Sequence, residues 1–359
     1  MSNNKSQILK VLFIASANKG AMTPVVINQA EALIAEGVQV DFFEIRGKGF
    51  RGYMRNVNPL RKYLHTHQYD AIHAHYSLSA FAASLAGAEP LVVSLMGSDV
   101  KAAGWYKFII RFFAFLFRWK AIIVKSNDMY RSLGIKRAVV IPNGVNLDRF
   151  RPMDKTECQK RLGWQTTNDK PQTTNHNPQT TNHKSQTTNI KHVLFPANAS
   201  RPEKDYALAE AAVAAANQHL SFVIGNLSEN DEPQTTNHKL QTTNTHVILH
   251  AFNNTPNEET PYWYNAADVV LMTSKWEGSP NAIKEAMACC RPIVATNVGD
   301  IAERTSGVEG CFVAQSREPE ELARVLQQAI AFADTKGREQ IISDGLDAHV
   351  VNGKLIRLY

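Results

Sequence analysis

Short apolar, β-branched runs recur along this chain at intervals long enough to hold a helix, and that rhythm constrains the fold more than any other feature. Ile8–Ile14 reads as a buried strand, followed by a loop with Gly20, a helical stretch from Thr23 to Glu36 and a second strand over Val38–Ile45. Ala71–Ala74, Leu91–Leu95, Ala121–Val124 and Val139–Ile141 continue the series. Strands separated by helix-length segments imply βαβ units around a parallel sheet. Continuous apolar strands such as Ala121-Ile122-Ile123-Val124 fit a sheet covered on both faces. A turn-rich stretch from Pro142-Asn143-Gly144 to Phe150-Arg151-Pro152 breaks the rhythm. A second series follows: Val193–Pro196, Ser221–Ile224, His246–Leu249, Val269–Met272, Pro292–Ala295 and Gly310–Val313. The expected fold is α/β, with two Rossmann-like, doubly wound domains facing a cleft. Residues 1–150 would form the first domain and 151–343 the second, and a helix over 344–359 would pack back on the first.

The chain's 359 residues, 44% of them apolar, suffice for two cores. A net charge of +6 is modest and scattered, which favours anionic surfaces or substrates over nucleic acid, and no nucleic-acid motif is visible. Cys158, Cys289, Cys290 and Cys311 contain no CxxC pair, which argues against a disulfide framework or a zinc site and suits a reducing cytosol. The polar start, Met1 to Lys10, runs directly into a strand, so no signal peptide is expected. No apolar run reaches the roughly 18 residues of a spanning helix. The expected location is cytoplasmic, either free or peripheral on the inner face of the membrane.

Two inserts interrupt the second series. Gln-Thr-Thr-Asn recurs at 165, 172, 179 and 186, a seven-residue period, and again at 234 and 241. These units lack the apolar a and d positions of a coiled coil. Their composition cannot bury a core, so the stretches near 165–189 and 233–244 are expected to be disordered loops. Their histidines, His176, His183 and His238, could bind metal weakly, or the repeats are simply tolerated on the surface.

The strongest chemical signal is Glu277-Gly278-Ser279-Pro280-Asn281-Ala282-Ile283-Lys284-Glu285, just after a strand. Ser279 suits an N-cap and Pro280 a first helical position, so free backbone N–H groups near Asn281 would suit a phosphate. Two carboxylates repel a phosphate, but Glu277 and Glu285 can accept from sugar hydroxyls on either side of a diphosphate. The alternative is a capped surface helix with two solvated glutamates. After Val193–Pro196 comes Ala197-Asn198-Ala199-Ser200-Arg201-Pro202-Glu203-Lys204-Asp205. Arg201 and Lys204 could neutralise a diphosphate leaving group, or form ordinary local ion pairs. Gly225 ends the following predicted strand, where a ligand can approach closely.

These segments resemble family 4 of the retaining glycosyltransferases, which have the two-Rossmann-domain GT-B architecture. Glu277 to Glu285 resembles the E-x7-E motif. Asp268 to Ser274 resembles the A-D-x-x-x-x-P-S stretch, with Thr273 in place of proline. Asn143-Gly144-Val145 with Phe150-Arg151-Pro152 resembles the interdomain signature. The resemblance implies a hexosyltransferase-type enzyme using a UDP- or GDP-sugar and no essential metal, in keeping with the absence of Asp-x-Asp. It implies Arg201 and Lys204 on the donor diphosphate, Glu285 on the ribose and Glu277 on the transferred sugar. Gly225, Gly278, Ser279, Pro280 and Asn281 complete the donor side. His75, at a strand end, resembles the active-site histidine, with His73 expected to point to the opposite face or into the core. Met96-Gly97-Ser98-Asp99 resembles the H-G-x-D loop with Met96 replacing histidine, and Gly20 stands where a glycine pair is usual. Gly20, Ser98 and Asp99 are therefore expected on the acceptor side. The implied acceptor is a glycan or a lipid-linked glycan of surface polysaccharide or glycolipid synthesis.

Trp105 to Lys120 is aromatic and basic, too short and too charged to span a bilayer. It fits a helix lying on an anionic membrane surface, with Phe112, Phe113, Phe115 and Phe117 as its apolar contacts, or else a buried helix with snorkelling cations. Two other functions compete with glycosyl transfer: a nucleotide-sugar epimerase or hydrolase on the same architecture, and a degenerate nucleotide-sugar-binding subunit. Met96, the single Gly20 and the repeats motivate the latter.

Overall fold

The computed structural model describes residues 8–18, 20–101, 104–164, 167–168, 188–225 and 244–359. Most of the two repeat inserts lies outside these residues. Their described ends extend strands: Thr167–Asn168 pairs antiparallel with Thr188–Asn189, and Thr188 is in parallel register with Asn244.

The first half holds β1 (Lys10–Ser16), α1 (Pro24–Ala35), β2 (Gln39–Ile45), α2 (Gly49–Met54), α3 (Val57–Thr66), β3 (Ala71–His75) and α4 (Ser77–Ala86). It continues with β4 (Leu91–Ser94), α5 (Gly97–Lys101), α6 (Gly104–Leu116), β5 (Ala121–Val124), α7 (Asn127–Leu133) and β6 (Ala138–Val140). The second half holds α8 (Lys155–Leu162), β7 (Thr167–Asn168), β8 (Thr188–Phe195), α9 (Tyr206–Gly225), β9 (Asn244–Ala251), α10 (Thr260–Ala266) and β10 (Val269–Met272). After these come α11 (Asn281–Ala288), β11 (Ile293–Thr296), α12 (Ile301–Thr305), β12 (Cys311–Ala314), α13 (Pro319–Ile330), α14 (Gly337–Ser343) and α15 (Ala348–Ile356).

The first sheet is parallel in the order β2-β1-β3-β4-β5-β6. The second runs β12-β11-β10-β8, with β9 on the far side of β8. In each sheet the order reverses at one point, between β1 and β3 and between β8 and β10. Open α/β sheets bind ligands outside the carboxyl ends of strands at such reversals. Strand pleating explains the two-sided core. Leu12, Ile14, Ile72 and Val93 pack under Phe81 and Trp119, while Val11 and Phe13 meet Val26, Ala30 and Leu33 of α1.

The linker and the last helix tie the halves together. Val145 N–H donates to the Leu346 carbonyl at 2.9 Å, and Ala348 N–H donates to the Val145 carbonyl at 2.9 Å. A Cβ on Gly144 would sit 2.7 Å from the Ala348 Cα, so the close approach requires glycine there. Helix α15 then lays Val351 and Leu355 on Val92 and Ile123 of the first sheet.

One expected strand is absent: Ser221–Ile224 is the last turn of α9, and β9 pairs directly with β8. A short apolar β-branched run has no periodicity that separates strand from helix, and here it continues an alanine-rich helix. Gly225 accordingly ends a helix, not a strand. The expected helix over 344–359 is shorter, beginning at Ala348 with the Asp347 carboxylate accepting from His349 N–H.

Candidate functional site

Both strand-order reversals deliver their loops to one cleft. From the second sheet, the loop after β8 carries Lys204 in a 3-10 turn (Pro202–Lys204), and the loop after β10 carries Glu277. The Lys204 ammonium donates to Glu277 Oε1, and Ser274 Oγ donates to the same oxygen at 2.8 Å. Both side chains are only about one-seventh exposed, at 15% and 14%. The two loops are held in register by Thr273 Oγ1, which donates to the carbonyls of Lys204 (3.1 Å) and Asp205 (2.8 Å). Arg317 bonds the Ser274 and Thr273 carbonyls and Asp205 Oδ2 at 2.6–2.9 Å. Arg317 is a buttress that nothing in the local sequence pattern marks.

Arg201 lies apart from this pair. It is half exposed and bonds Glu203 at 2.6 and 2.8 Å. Glu285, the fifth residue of α11, is part-buried and accepts from Tyr264 Oη at 2.8 Å. Burial raises its pKa, and the Tyr264 hydrogen bond, with Arg149 and Lys284 nearby, works against that rise. Ser279 does not cap α11. The N-cap is Pro280, and Ser279 Oγ instead accepts from Lys284 Nζ at 3.3 Å. Asn281 Oδ1 accepts from Asn143 Nδ2 at 3.4 Å. Asn281 and Glu285 line a cavity of about 240 Å³ between α1, the linker and α15.

The first sheet brings the facing wall. His75 ends β3 beside the reversal, and the next residue, Tyr76, has a left-handed φ of 80°, a strain found where backbone geometry is imposed by the surroundings. His73 does not point away from His75. Two residues apart on a strand share a face, and the rings stack at 4.2 Å. His73 bonds Tyr359 Oη (2.6 Å) and Ser94 Oγ (2.8 Å), whereas His75 Nε2 is buried without a partner. Burial, then the charge of Lys125, pushes the His75 imidazole down to about 3, so it is neutral at pH 7. Asp99 is wholly buried and accepts from Ser77 N–H (3.1 Å), Ser77 Oγ and Met96 N–H (2.6 Å). It fastens the start of α4 to the β4 loop, with its pKa raised by burial to about 7. Ser98 is exposed and bonds Tyr76, and Gly20 is exposed with a φ of 93°.

The two walls touch at glycines. A Cβ on Gly97 would lie 2.8 Å from Gly278 N, and one on Gly278 would lie 3.0 Å from Gly97 Cα. Lys125, just after β5, and Lys284 of α11 are wholly buried near this contact; sequence reasoning assigned neither a role.

On α6 the exposed large side chains are Trp105 (67%), Phe108 (68%), Phe112 (50%), Phe115 (83%) and Leu116 (54%). Phe113 and Phe117 instead pack against the core, with the Phe113 ring 4.3 Å from that of Phe81. Among the described residues, no helix is long and apolar enough to cross a membrane.

Comparison with known proteins gives two family matches: "Glycosyl transferases group 1" over residues 190–331 and "Glycosyltransferase Family 4" over residues 42–149. A lipopolysaccharide core biosynthesis mannosyltransferase, LpsB of Rhizobium meliloti, is 27% identical over 251 residues, which is 69% of this chain and 63% of that protein. The chain therefore matches rather less than two thirds of that relative's length. Sucrose-phosphate synthase from Thermosynechococcus elongatus superposes with a TM-score of 0.69 at 16% identity, covering 98% of both chains. Anabaena HepE in complex with UDP-glucose gives a TM-score of 0.61 at 17% identity, over 97% of this chain and 98% of that one.

Proposed function

Since this chain belongs to the glycosyltransferases of the GT-B fold, we propose that it moves a sugar from a nucleotide-diphosphate donor to a glycan or lipid-linked acceptor, with retention of configuration. The observation that carries this is the Lys204–Glu277 pair at the second strand-order reversal, facing His75 at the first. In this reading Lys204 and the start of α11 take the donor diphosphate, and their positive ends stabilise the charge that develops as it leaves. No metal ion is needed for that step. Glu277, released from Lys204, accepts from a hydroxyl of the transferred sugar. Glu285, held by Tyr264 at the edge of the 240 Å³ cavity, accepts from the ribose. His75, neutral at pH 7, borders the sugar, while Asp99 acts through the loop it fastens. Arg201 reaches the phosphates only by leaving Glu203.

HepE is known in crystal complexes with UDP and with UDP-glucose, and the mannosyltransferase relative acts in lipopolysaccharide core synthesis. Both favour a UDP- or GDP-sugar donor and a role in surface polysaccharide or glycolipid assembly on the cytoplasmic side. The exposed aromatic face of α6, with Lys107 and Arg111 on the helix, Arg118 just beyond it and no acidic residue on the helix, supports peripheral seating on an anionic membrane.

The test is thermal stabilisation by a panel of nucleotide sugars, with Lys204→Ala as control. Binding to the folded state at a hundredfold excess over Kd stabilises by roughly 3 kcal/mol. A shift by one nucleotide class that disappears in the variant is expected; no shift with any UDP- or GDP-sugar removes the reading.

A further inference from the structure

Lys125 is a buried, poorly compensated charge. The residue is 3% exposed, and among the described residues its Nζ makes a long hydrogen bond, 3.4 Å, to Ser94 Oγ. No carboxylate forms an ion pair with it among the described residues, and the nearest charge that perturbs it, Lys284, has the same sign. Buried ammonium groups are ordinarily paired, because taking a charge out of water without compensation is costly.

A second anomaly lies on the same face of the sheet. Ser94 Oγ, which Lys125 contacts, also bonds His73 Nε2, and the His73 ring stacks on that of His75. His75 Nε2 is buried with no partner. An unpaired cation and an unpaired imidazole nitrogen thus sit together at the carboxyl ends of β3 and β5, where this wall meets the Gly278 loop through Gly97. A ligand that brings a negative oxygen satisfies both at once.

We propose that Lys125 and His75 receive an anionic oxygen group, a carboxylate or a phosphate, carried by one of the two sugar substrates. This rests on the transfer reaction, since it takes the sugars to meet at His75. The group comes either from the transferred sugar, as a hexuronic acid, or from the acceptor, as a sugar acid or sugar phosphate. Lys284, which donates to the Asn143 carbonyl at 2.8 Å, adds a second positive field from the opposite wall.

The experiment compares matched neutral and acidic ligands by calorimetry on the full chain. UDP-glucose is set against UDP-glucuronate, and GDP-mannose against GDP-mannuronate. With saturating UDP or GDP, glucose is set against glucuronate and glucose 6-phosphate. The acidic member of one pair is expected to bind at least about tenfold more tightly, the scale of one charge-assisted hydrogen bond. Lys125→Met is expected to abolish that preference while leaving UDP or GDP affinity unchanged, and Lys125→Arg to keep part of it. Preference within the donor pairs places the anion on the transferred sugar; preference within the acceptor set places it on the acceptor. Equal binding throughout, or a preference that survives Lys125→Met, overturns the proposal. Because UDP and GDP binding is measured separately, that failure is distinct from loss of the transferase reading. Melting curves confirm that the variants fold, as removal of an unpaired buried charge should allow.

Discussion

Gly97 and Gly278 lie backbone against backbone across the cleft, so close that a β-carbon on Gly97 would sit only 2.8 Å from the Gly278 nitrogen. Neither glycine has a left-handed φ, so the requirement is steric and belongs to closure of the two walls. Gly97→Ala is expected to hold the walls apart and admit water to the site. Misplacement of reacting groups by about 1 Å can cost a hundredfold in rate. We expect kcat to fall by roughly that factor, with Tm and donor affinity near wild type, because the donor contacts lie on the other wall. Steady-state kinetics with a donor titration checks this, and an unchanged kcat would show that the contact is incidental.

The Lys204–Glu277 ion pair must open for both side chains to reach substrate. Lys204→Ala removes a charge-assisted contact to phosphate and should weaken donor binding by roughly tenfold to a hundredfold. Glu277→Gln keeps the shape but frees Lys204 from its partner. Donor affinity should hold or rise in that variant, while kcat falls. A double-mutant cycle on donor Kd should then be non-additive, as expected for groups in contact. Additive effects would mean that the two side chains act independently of one another.

Much of this was legible in the sequence, and the failures have identifiable causes. Strand-sized apolar runs placed eleven of the strands near their true positions, since burial on both faces leaves a continuous apolar signature. Ser221–Ile224 failed because four residues cannot report a period. Of the two placements expected for His73, the core is right and the opposite face is not, since strand alternation puts it on the face of His75. Serine followed by proline at the start of α11 suggested a Ser279 cap, but the Ser279 hydroxyl accepts from Lys284, a partner five residues on that no capping pattern reveals. Lys125 and Arg317 were missed because their meaning depends on what they face after folding. The one available hint for Lys125 was its place at the carboxyl end of an apolar strand, where open sheets build sites.

The face of α6 gives a separable expectation. Phe108, Phe112 and Phe115 project outward, while Phe113 and Phe117 belong to the core. Replacing the first three by serine should abolish cosedimentation with vesicles of anionic lipid and leave Tm and activity on a soluble acceptor intact. Replacing Phe113 should instead lower Tm, since its ring packs against Phe81 at the edge of the core, though by less than the roughly 3–5 kcal/mol that truncating a fully buried aromatic costs. Unchanged vesicle binding in the triple variant would remove the membrane face.

The buried lysines predict an alkaline gain in stability. Burial, then Lys284, lowers the Lys125 pKa from 10.5 to about 7, and burial lowers that of Lys284 to about 8. Between those values and 10.5 the unfolded chain binds protons on these two groups that the native chain does not, so the lysines add stability as pH rises through that window. The groups around Lys125 are His73, His75 and Ser94 on its own sheet and Lys284 on α11, with Asp300 close to Lys284. Other groups titrate there too. Asp99, raised to about 7, and the thiols of Cys289 and Cys311, raised by burial, keep protons that the unfolded chain releases and work against the gain. Histidines of the unfolded chain still bind some protons near pH 7 and add to it, so the Lys125 share is read as the difference between wild type and variant. One proton contributes about 1.4 kcal/mol per pH unit where it is fully uncompensated. Urea unfolding of the wild type and of Lys125→Met between about pH 7 and 8, below the range where the cysteines and tyrosines of the unfolded chain ionise, checks this. Lys125→Met should be the more stable protein at pH 7, and its stability should climb less steeply with pH than that of the wild type. A variant with the wild-type slope would mean that Lys125 keeps its proton in the folded chain, and so has a counter-charge that its surroundings do not show.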